Sequence, residues 1–243
     1  MSQFQGTFKR YEKKYLLSEM AYKQLRARLQ DKLNVDAYGN TTICNIYFDT
    51  PSYQLVRTSM EKPVYKEKLR LRSYGTPQEG DIVFIELKKK YKGVVYKRRE
   101  KLELNKAENY LYDKKPAEEN SQIIREIDWF LQFYKDIAPA MYISYERVAM
   151  YGLEDSELRV TFDTNILWRE DTLFLEAGNY GNALLPEGYR LMEIKIPGTM
   201  PLWLTHILDE LKIYPTSFSK YGRGYEQLTN RNIYERMGGK KYA

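Results

Sequence analysis

Residues 64–74 read V-Y-K-E-K-L-R-L-R-S-Y. Side chains two apart in a strand share a face. Lys66, Lys68, Arg70, Arg72 and Tyr74 therefore stand on one side, and Glu67, Leu69, Leu71 and Ser73 on the other. A strand with a row of cations on one face and a mostly apolar opposite face is the feature that decides the fold.

The same alternation recurs outward from this segment. D-I-V-F-I-E-L-K-K-K (81–90) and V-V-Y-K-R-R-E-K-L-E-L (94–104) follow after turn-rich breaks at 75–80 and 91–93, which predicts an antiparallel meander. Upstream, 8–17 reads as a first strand, Ser18 as the N-cap of a helix over 19–31, and 41–49 as a second strand ended by Thr50-Pro51. A short helical or irregular stretch leads to Lys62-Pro63. Downstream, strands are expected at 140–151, 157–168, 172–176 and 189–196, and Pro201 opens a helix over 201–212. The segment 106–136 has apolar residues at helical spacing and reads as an inserted helical element. The tail from 201 to 243 reads as helical, and the whole of 1–243 as one domain.

Charged rows recur on strand after strand. Arg10, Glu12 and Lys14 share a face, as do Glu86 and Lys88, Lys97 and Arg99, and Tyr145 and Arg147. So do Arg159, Thr161 and Asp163, and Glu193 and Lys195. One such row is an ordinary wet sheet face. Rows on nearly every strand, with apolar faces behind them, predict a sheet closed into a barrel with a polar interior. Like charges about 4 Å apart repel by about 1 kcal/mol in water and more at lower effective dielectric, so such an interior calls for a polyanion. Arg offers a rigid fork for phosphate oxygens and Lys a movable point charge. The few interleaved carboxylates suit a divalent metal. The chemistry expected is phosphoryl handling by positioning and charge neutralisation.

Composition narrows the alternatives. The 243 residues carry a net charge of +6 and 23 tyrosines, which favours anionic partners and strands. Cys44 is the only cysteine, so no intramolecular disulfide can form, and its apolar surroundings predict a core position. His206 is the only histidine and reads as a helix-face residue rather than a base. No P-loop or G-x-G-x-x-G motif occurs. No apolar run approaches the ~20 residues of a membrane span, and the first residues carry no signal-peptide pattern, so a cytoplasmic location is expected. RNA binding is the rival of another class, but single-strand binders present an open sheet face, so no nucleic acid is expected. Trp129, Phe130 and Phe133 are expected to pack a helix onto the barrel.

Read in order, the strands resemble the VTC-type polyphosphate polymerase domain, a branch of the triphosphate tunnel metalloenzyme (CYTH-like) superfamily, in stand-alone form. The resemblance rests on R-Y-E-K-K-Y (10–15), N-I-Y-F-D-T-P (45–51), K-L-R-L-R-S-Y (68–74), F-I-E-L-K-K-K (84–90) and Y-K-R-R-E-K (96–101). It continues through Y-E-R-V-A-M-Y (145–151), L-R-V-T-F-D-T (158–164), L-M-E-I-K (191–195), P-L-W-L (201–204) and F-S-K-Y-G-R-G-Y (218–225). It implies an α+β fold: an eight-stranded antiparallel β-barrel, the triphosphate tunnel, with flanking helices. It implies phosphate contacts from Lys14, Arg70, Arg72, Lys88, Lys97, Arg147, Arg159 and Lys220, with Ser219 as a hydroxyl donor. Glu193 would bind Mn²⁺ or Mg²⁺, Lys195 would lie beside it, and Tyr145 would contact the nucleotide. The implied partners are ATP and inorganic polyphosphate, and the resemblance leaves room for a separate membrane protein not visible in this chain. The first strand reads R-x-E-x-K rather than the E-x-E-x-K of the hydrolytic and cyclase branches, which favours a polymerase over a triphosphatase. S-F-S-K at 217–220 stands where some polymerases carry an additional lysine. A tunnel triphosphatase and a non-catalytic polyphosphate sensor are the alternative functions.

Overall fold

The computed structural model describes residues 11–92 and 94–236. The first strand's expected residues 8–10, Arg10 among them, Gly93 and the end of the tail at 237–243 lie outside these.

The chain forms β1 (Tyr11–Leu17), α1 (Glu19–Leu29), β2 (Leu33–Asp49), α2 (Gln54–Met60), β3 (Tyr65–Tyr74), β4 (Ile82–Tyr91) and β5 (Val94–Glu103). Then come α3 (Leu104–Leu111), α4 (Gln122–Phe133), β6 (Ala138–Gly152), β7 (Arg159–Arg169), β8 (Asn182–Ala183), β9 (Arg190–Ile196), α5 (Leu202–Glu210) and α6 (Lys220–Arg236). The expected cap holds: Ser18 Oγ accepts from the Ala21 N–H at 3.3 Å. Ser121 does the same for α4, accepting from the Ile124 N–H at 3.1 Å. The element expected over 106–136 is two helices, α3 and α4. No helix among the described residues is long and apolar enough to cross a membrane.

The strands make one antiparallel sheet in the order β1-β9-β7-β6-β2-β3-β4-β5, with β8 added alongside β7. Eight strands on one path meet the expectation, but pairing does not close the path into a ring: β1 and β5 end it. The reason lies at the β1 edge. There Thr216 donates its N–H to the Lys14 carbonyl at 2.7 Å, so the 215–218 segment takes a ladder position that closure would need. β2 starts eight residues earlier than the expected 41, and its first half pairs with the end of β6 across an irregularity between Val35 and Asn40. The strand expected at 172–176 is absent. The buried Arg169 guanidinium instead gathers the carbonyls of Thr172, Phe174, Gly178 and Tyr180, which folds this stretch around the side chain rather than along a neighbouring strand.

Two apolar layers cover the outer face. One joins Leu69, Leu71, Ile85 and Leu87 to α3 and α4. The other joins β1, β7 and β9 to α1 and α5. Within α4, Ile124, Ile127 and Phe130 are buried at three-residue intervals. Trp129 and Phe133 are not: they stack on each other at 5.0 Å and stay 53% and 61% exposed, so of the three aromatics only Phe130 packs as expected. A third apolar group lies on the inner face, where Tyr221 and Leu228 of α6 meet Ile43, Met141, Ile143 and Trp168. Gly224 makes this approach feasible, because a Cβ there would meet Met141 Sδ at 2.4 Å. Cys44 is buried, and its burial pushes the thiol pKa up. His206 is exposed on α5.

Candidate functional site

Period two places the site. Lys68, Arg70 and Arg72 of β3 face the same space as Glu86 and Lys88 of β4 and Lys97 of β5. Tyr145 and Arg147 of β6 and Glu193 and Lys195 of β9 face it from the other side. α6 begins at this space, so Ser219 and Lys220 enter it from a helix N-terminus. The Ser219 Oγ accepts from the Gly222 N–H at 3.1 Å, and the helix dipole adds to the positive potential. The result is an inner chamber of about 280 Å³ with nine Lys or Arg side chains and three Glu carboxylates on its wall.

Three carboxylates organise these cations. Glu86, 1% exposed, takes Arg70 Nη2 at 2.5 Å, Lys97 Nζ at 2.7 Å and the Arg99 guanidinium, with Arg72 Nε at 3.8 Å. Burial alone would raise its pKa, but Arg70, Arg72 and Lys97 hold it well below the usual carboxylate range. Asp163 receives a two-pronged grip from Arg147 at 2.6 and 2.7 Å and Lys220 Nζ at 2.5 Å. Glu193 lies between Lys195 at 3.1 Å, Lys14 and Lys220 at 3.4 Å, and Arg147 at 3.6 Å. Burial works against the Lys220 charge, but Asp163 and Glu193 hold its pKa above the ordinary value.

Lys68 and Lys97 have pKa values below the ordinary lysine value. Burial, then the neighbouring Lys88, Lys66 and Lys14, push Lys68 down to about 8, although Tyr47 works the other way. Burial also takes Lys97 to about 8 despite Glu86. The Tyr47 phenol shows the same field: burial would raise its pKa, yet Arg70, Lys68 and Arg72 lower it to about 8. Its hydroxyl accepts from Arg70 Nη1 at 3.1 Å, and its ring stacks on Tyr221 at 4.6 Å. Tyr221 in turn donates to Asp49 at 2.8 Å. Arg72 donates to Asn45 Oδ1 at 2.9 Å and to the Tyr145 hydroxyl at 3.2 Å.

The chamber runs into a wider basin of about 620 Å³, with Glu12, Lys14, Lys68, Lys88 and Ser219 common to both. The basin adds Lys66, Lys90 and Arg223. Its further carboxylate, Glu226, is held by Arg223 at 3.0 Å.

Of the residues named from the sequence, Lys14, Arg70, Arg72, Lys88, Lys97, Tyr145, Arg147, Glu193, Lys195, Ser219 and Lys220 meet at the chamber. Arg159 does not. It is the first residue of β7, exposed, with its guanidinium 5.7 Å from the Tyr151 ring centre. Strand parity puts it on the inner face, but the strand end carries it beyond the chamber. The sequence reading passed over Lys68, Glu86 and Asp163, which stood in charged rows already recognised, and Tyr47 and Asn45, which alternate with Cys44, Ile46 and Phe48 in the uncharged stretch 41–48.

A divalent ion could face Glu193. Among the described residues no three His, Cys, Asp or Glu side chains come together to hold one. The donor set therefore fits Mn²⁺ or Mg²⁺ only where phosphate oxygens complete the coordination, the usual arrangement for Mg²⁺ at phosphate sites.

An antiparallel sheet wrapped around a basic chamber, with helices on its outer face, defines the class as a triphosphate-tunnel fold. The profile of the VTC domain matches residues 9–229, and the chain belongs to that family. A putative adenylate cyclase from Bacillus halodurans is 16% identical with a TM-score of 0.55, over 88% of this chain and 95% of that one. A putative adenylyl cyclase from Hippeastrum, described as having a dominant triphosphatase activity, is 18% identical with a TM-score of 0.52, over 86% and 92%. No curated protein sequence matches the chain.

Proposed function

We propose that this domain is a metal-dependent polyphosphate polymerase, transferring the γ-phosphoryl group of ATP to the end of a growing inorganic polyphosphate chain. The observation that carries this reading is the continuity of two unlike spaces. The inner chamber pairs its arginines with fixed carboxylates, which suits orienting one triphosphate. The outer basin is lysine-rich and poor in free carboxylate, which suits a chain that must slide. A hydrolase acting on a short triphosphate has no evident use for the second space.

In this reading Arg70, Arg72 and Arg147 neutralise the transferring phosphoryl group, and Lys14, Lys88, Lys97, Lys195 and Lys220 follow the remaining phosphates. Ser219 donates its hydroxyl, and Tyr145 lies beside the nucleotide. A terminal phosphate oxygen of the acceptor chain forms the new P–O bond in line as the bond to ADP breaks, so no protein nucleophile is needed. A divalent ion on Glu193 would supply further charge neutralisation between phosphates. We place the domain in the cytoplasm, where ATP is supplied, with a separate membrane protein as the partner that would receive a finished chain.

The test is incubation of the purified protein with ATP and Mn²⁺, followed by gel separation of phosphate polymers. Long chains are expected. Orthophosphate alone would mark a triphosphatase, and tight polyphosphate binding without turnover would mark a sensor.

A further inference from the structure

The carboxylate expected to carry the metal is already surrounded. Glu193 Oε1 has the ammonium groups of Lys14 and Lys220 at 3.4 Å, and Oε2 has Lys195 at 3.1 Å and Arg147 at 3.6 Å. The next carboxylate, Asp163, offers no vacancy, since Arg147 and Lys220 occupy both its oxygens. Glu12 is likewise held by Lys14 at 3.4 Å. Around Glu193 and Asp163, four cations thus face two carboxylates.

A dication entering this group meets twice the repulsion that an ammonium would, and a single carboxylate with its lone pairs engaged must oppose it. A phosphate chain has the opposite relation to the same residues. It carries several negative charges, and its oxygens compete for the very N–H groups that now hold Glu193. Lys14 and Lys195 keep 21% and 27% side-chain exposure, which leaves their flexible stems room to turn toward a ligand.

We propose that the phosphate chain builds the metal site. Phosphate oxygens draw Lys14, Lys195, Lys220 and Arg147 off Glu193, and only then is this carboxylate free to bind Mn²⁺ or Mg²⁺ together with those same oxygens. The polyanion binds without metal, and the metal does not bind without polyanion. This rests on the reading that the chamber takes a phosphate chain.

The experiment has three arms on the purified full chain. Calorimetric titration of the phosphate-free protein with MnCl₂ is expected to show no stoichiometric binding into the millimolar range. Sodium tripolyphosphate in excess EDTA is expected to bind and to raise the melting temperature. Lys195→Met, whose fold is checked by its melting curve, is expected to gain Mn²⁺ affinity in the phosphate-free protein by about tenfold or more, since a unit charge next to the site is removed. Adding Glu193→Gln to that variant should abolish the gain, which ties it to this carboxylate. Micromolar stoichiometric Mn²⁺ binding to the free wild type would overturn the proposal. So would tripolyphosphate binding that requires Mn²⁺, although the chamber's function would then survive. Tripolyphosphate that binds under neither condition would overturn the function and this proposal with it.

Discussion

Glu86→Gln is the substitution that most sharply probes how the chamber is held together. The carboxylate is 1% exposed and takes Arg70, Lys97 and Arg99 directly, with Arg72 at 3.8 Å. The amide keeps the shape but removes the charge, so these cations face each other unopposed. Breaking a buried ion pair costs about 3–5 kcal/mol. Arg70, Lys97 and Arg99 keep 21–42% side-chain exposure, so solvent screens part of the repulsion and the lower end, about 3 kcal/mol, applies. At about 2–4 °C per kcal/mol for a domain of this size, the melting temperature should fall by about 6–12 °C. Tripolyphosphate near 100 times its Kd stabilises a folded state by about 2.7 kcal/mol. In the variant the ligand also supplies the missing negative charge, so the variant should be rescued by more than the wild type is stabilised. Scanning calorimetry of both proteins, with and without tripolyphosphate, measures the four values. A variant melting within about 2 °C of wild type, or an equal ligand shift in both proteins, would refute the idea that repelling cations are held in check by this carboxylate.

Further expectations concern titration and contact. Tyr47 and Lys68 both have pKa values near 8 in the folded chain, against about 10 and 10.4 when unfolded, so between pH 8 and 10 the unfolded state binds more protons. Their contribution to stability therefore rises with pH across that window, and denaturation of Tyr47→Phe and Lys68→Met should show a flatter slope. Tyrosinate ultraviolet absorbance with a midpoint near pH 8 should also disappear on adding tripolyphosphate, because the ligand neutralises the cations that favour the phenolate. Arg72→Ala should weaken tripolyphosphate binding by about 10- to 100-fold, the worth of a charged hydrogen bond, while Arg159→Ala at the exposed strand end should change it by no more than about twofold. Lys66→Ala with Lys90→Ala should weaken long-chain polyphosphate binding and spare tripolyphosphate, as competition assays with graded chain lengths would show. Gly224→Ala should destabilise the chain by about 1–3 kcal/mol in urea unfolding, because its Cβ meets Met141.

The fold was legible wherever alternation was strict. Lys66 to Arg72 against Leu69 and Leu71 read correctly because a strand's period leaves no other assignment once one face is buried. Period gives face but not depth, and this is why Arg159 shares parity with Asp163 yet stands exposed at the end of β7 while Asp163 is wholly buried. Helical spacing failed for Trp129 and Phe133 in a similar way. Trp129 lies one position before Phe130. Phe133 keeps the three-residue interval of Ile124, Ile127 and Phe130 but has turned off their face, because three residues fall short of a full turn; the two stack outward. The open edge at β1 was beyond reach, since the Thr216 contact joins residues about 200 apart with no pattern between them. Tyr47 and Asn45 carry no charge, so only the structure reveals that they hold Arg70 and Arg72 in place. The counter-charges at Glu86, Asp163 and Glu193 appeared in the sequence as isolated acids in basic rows. Their role as anchors depends on side chains converging from several strands.

The central claim is that a phosphoryl group leaves ATP and joins a chain lying in this tunnel. The most direct measurement follows the label from γ-labelled ATP with purified protein, Mn²⁺ and a short polyphosphate primer. The account predicts label in polymer longer than the primer, with ADP formed in equal amount. Label recovered only as orthophosphate would contradict it.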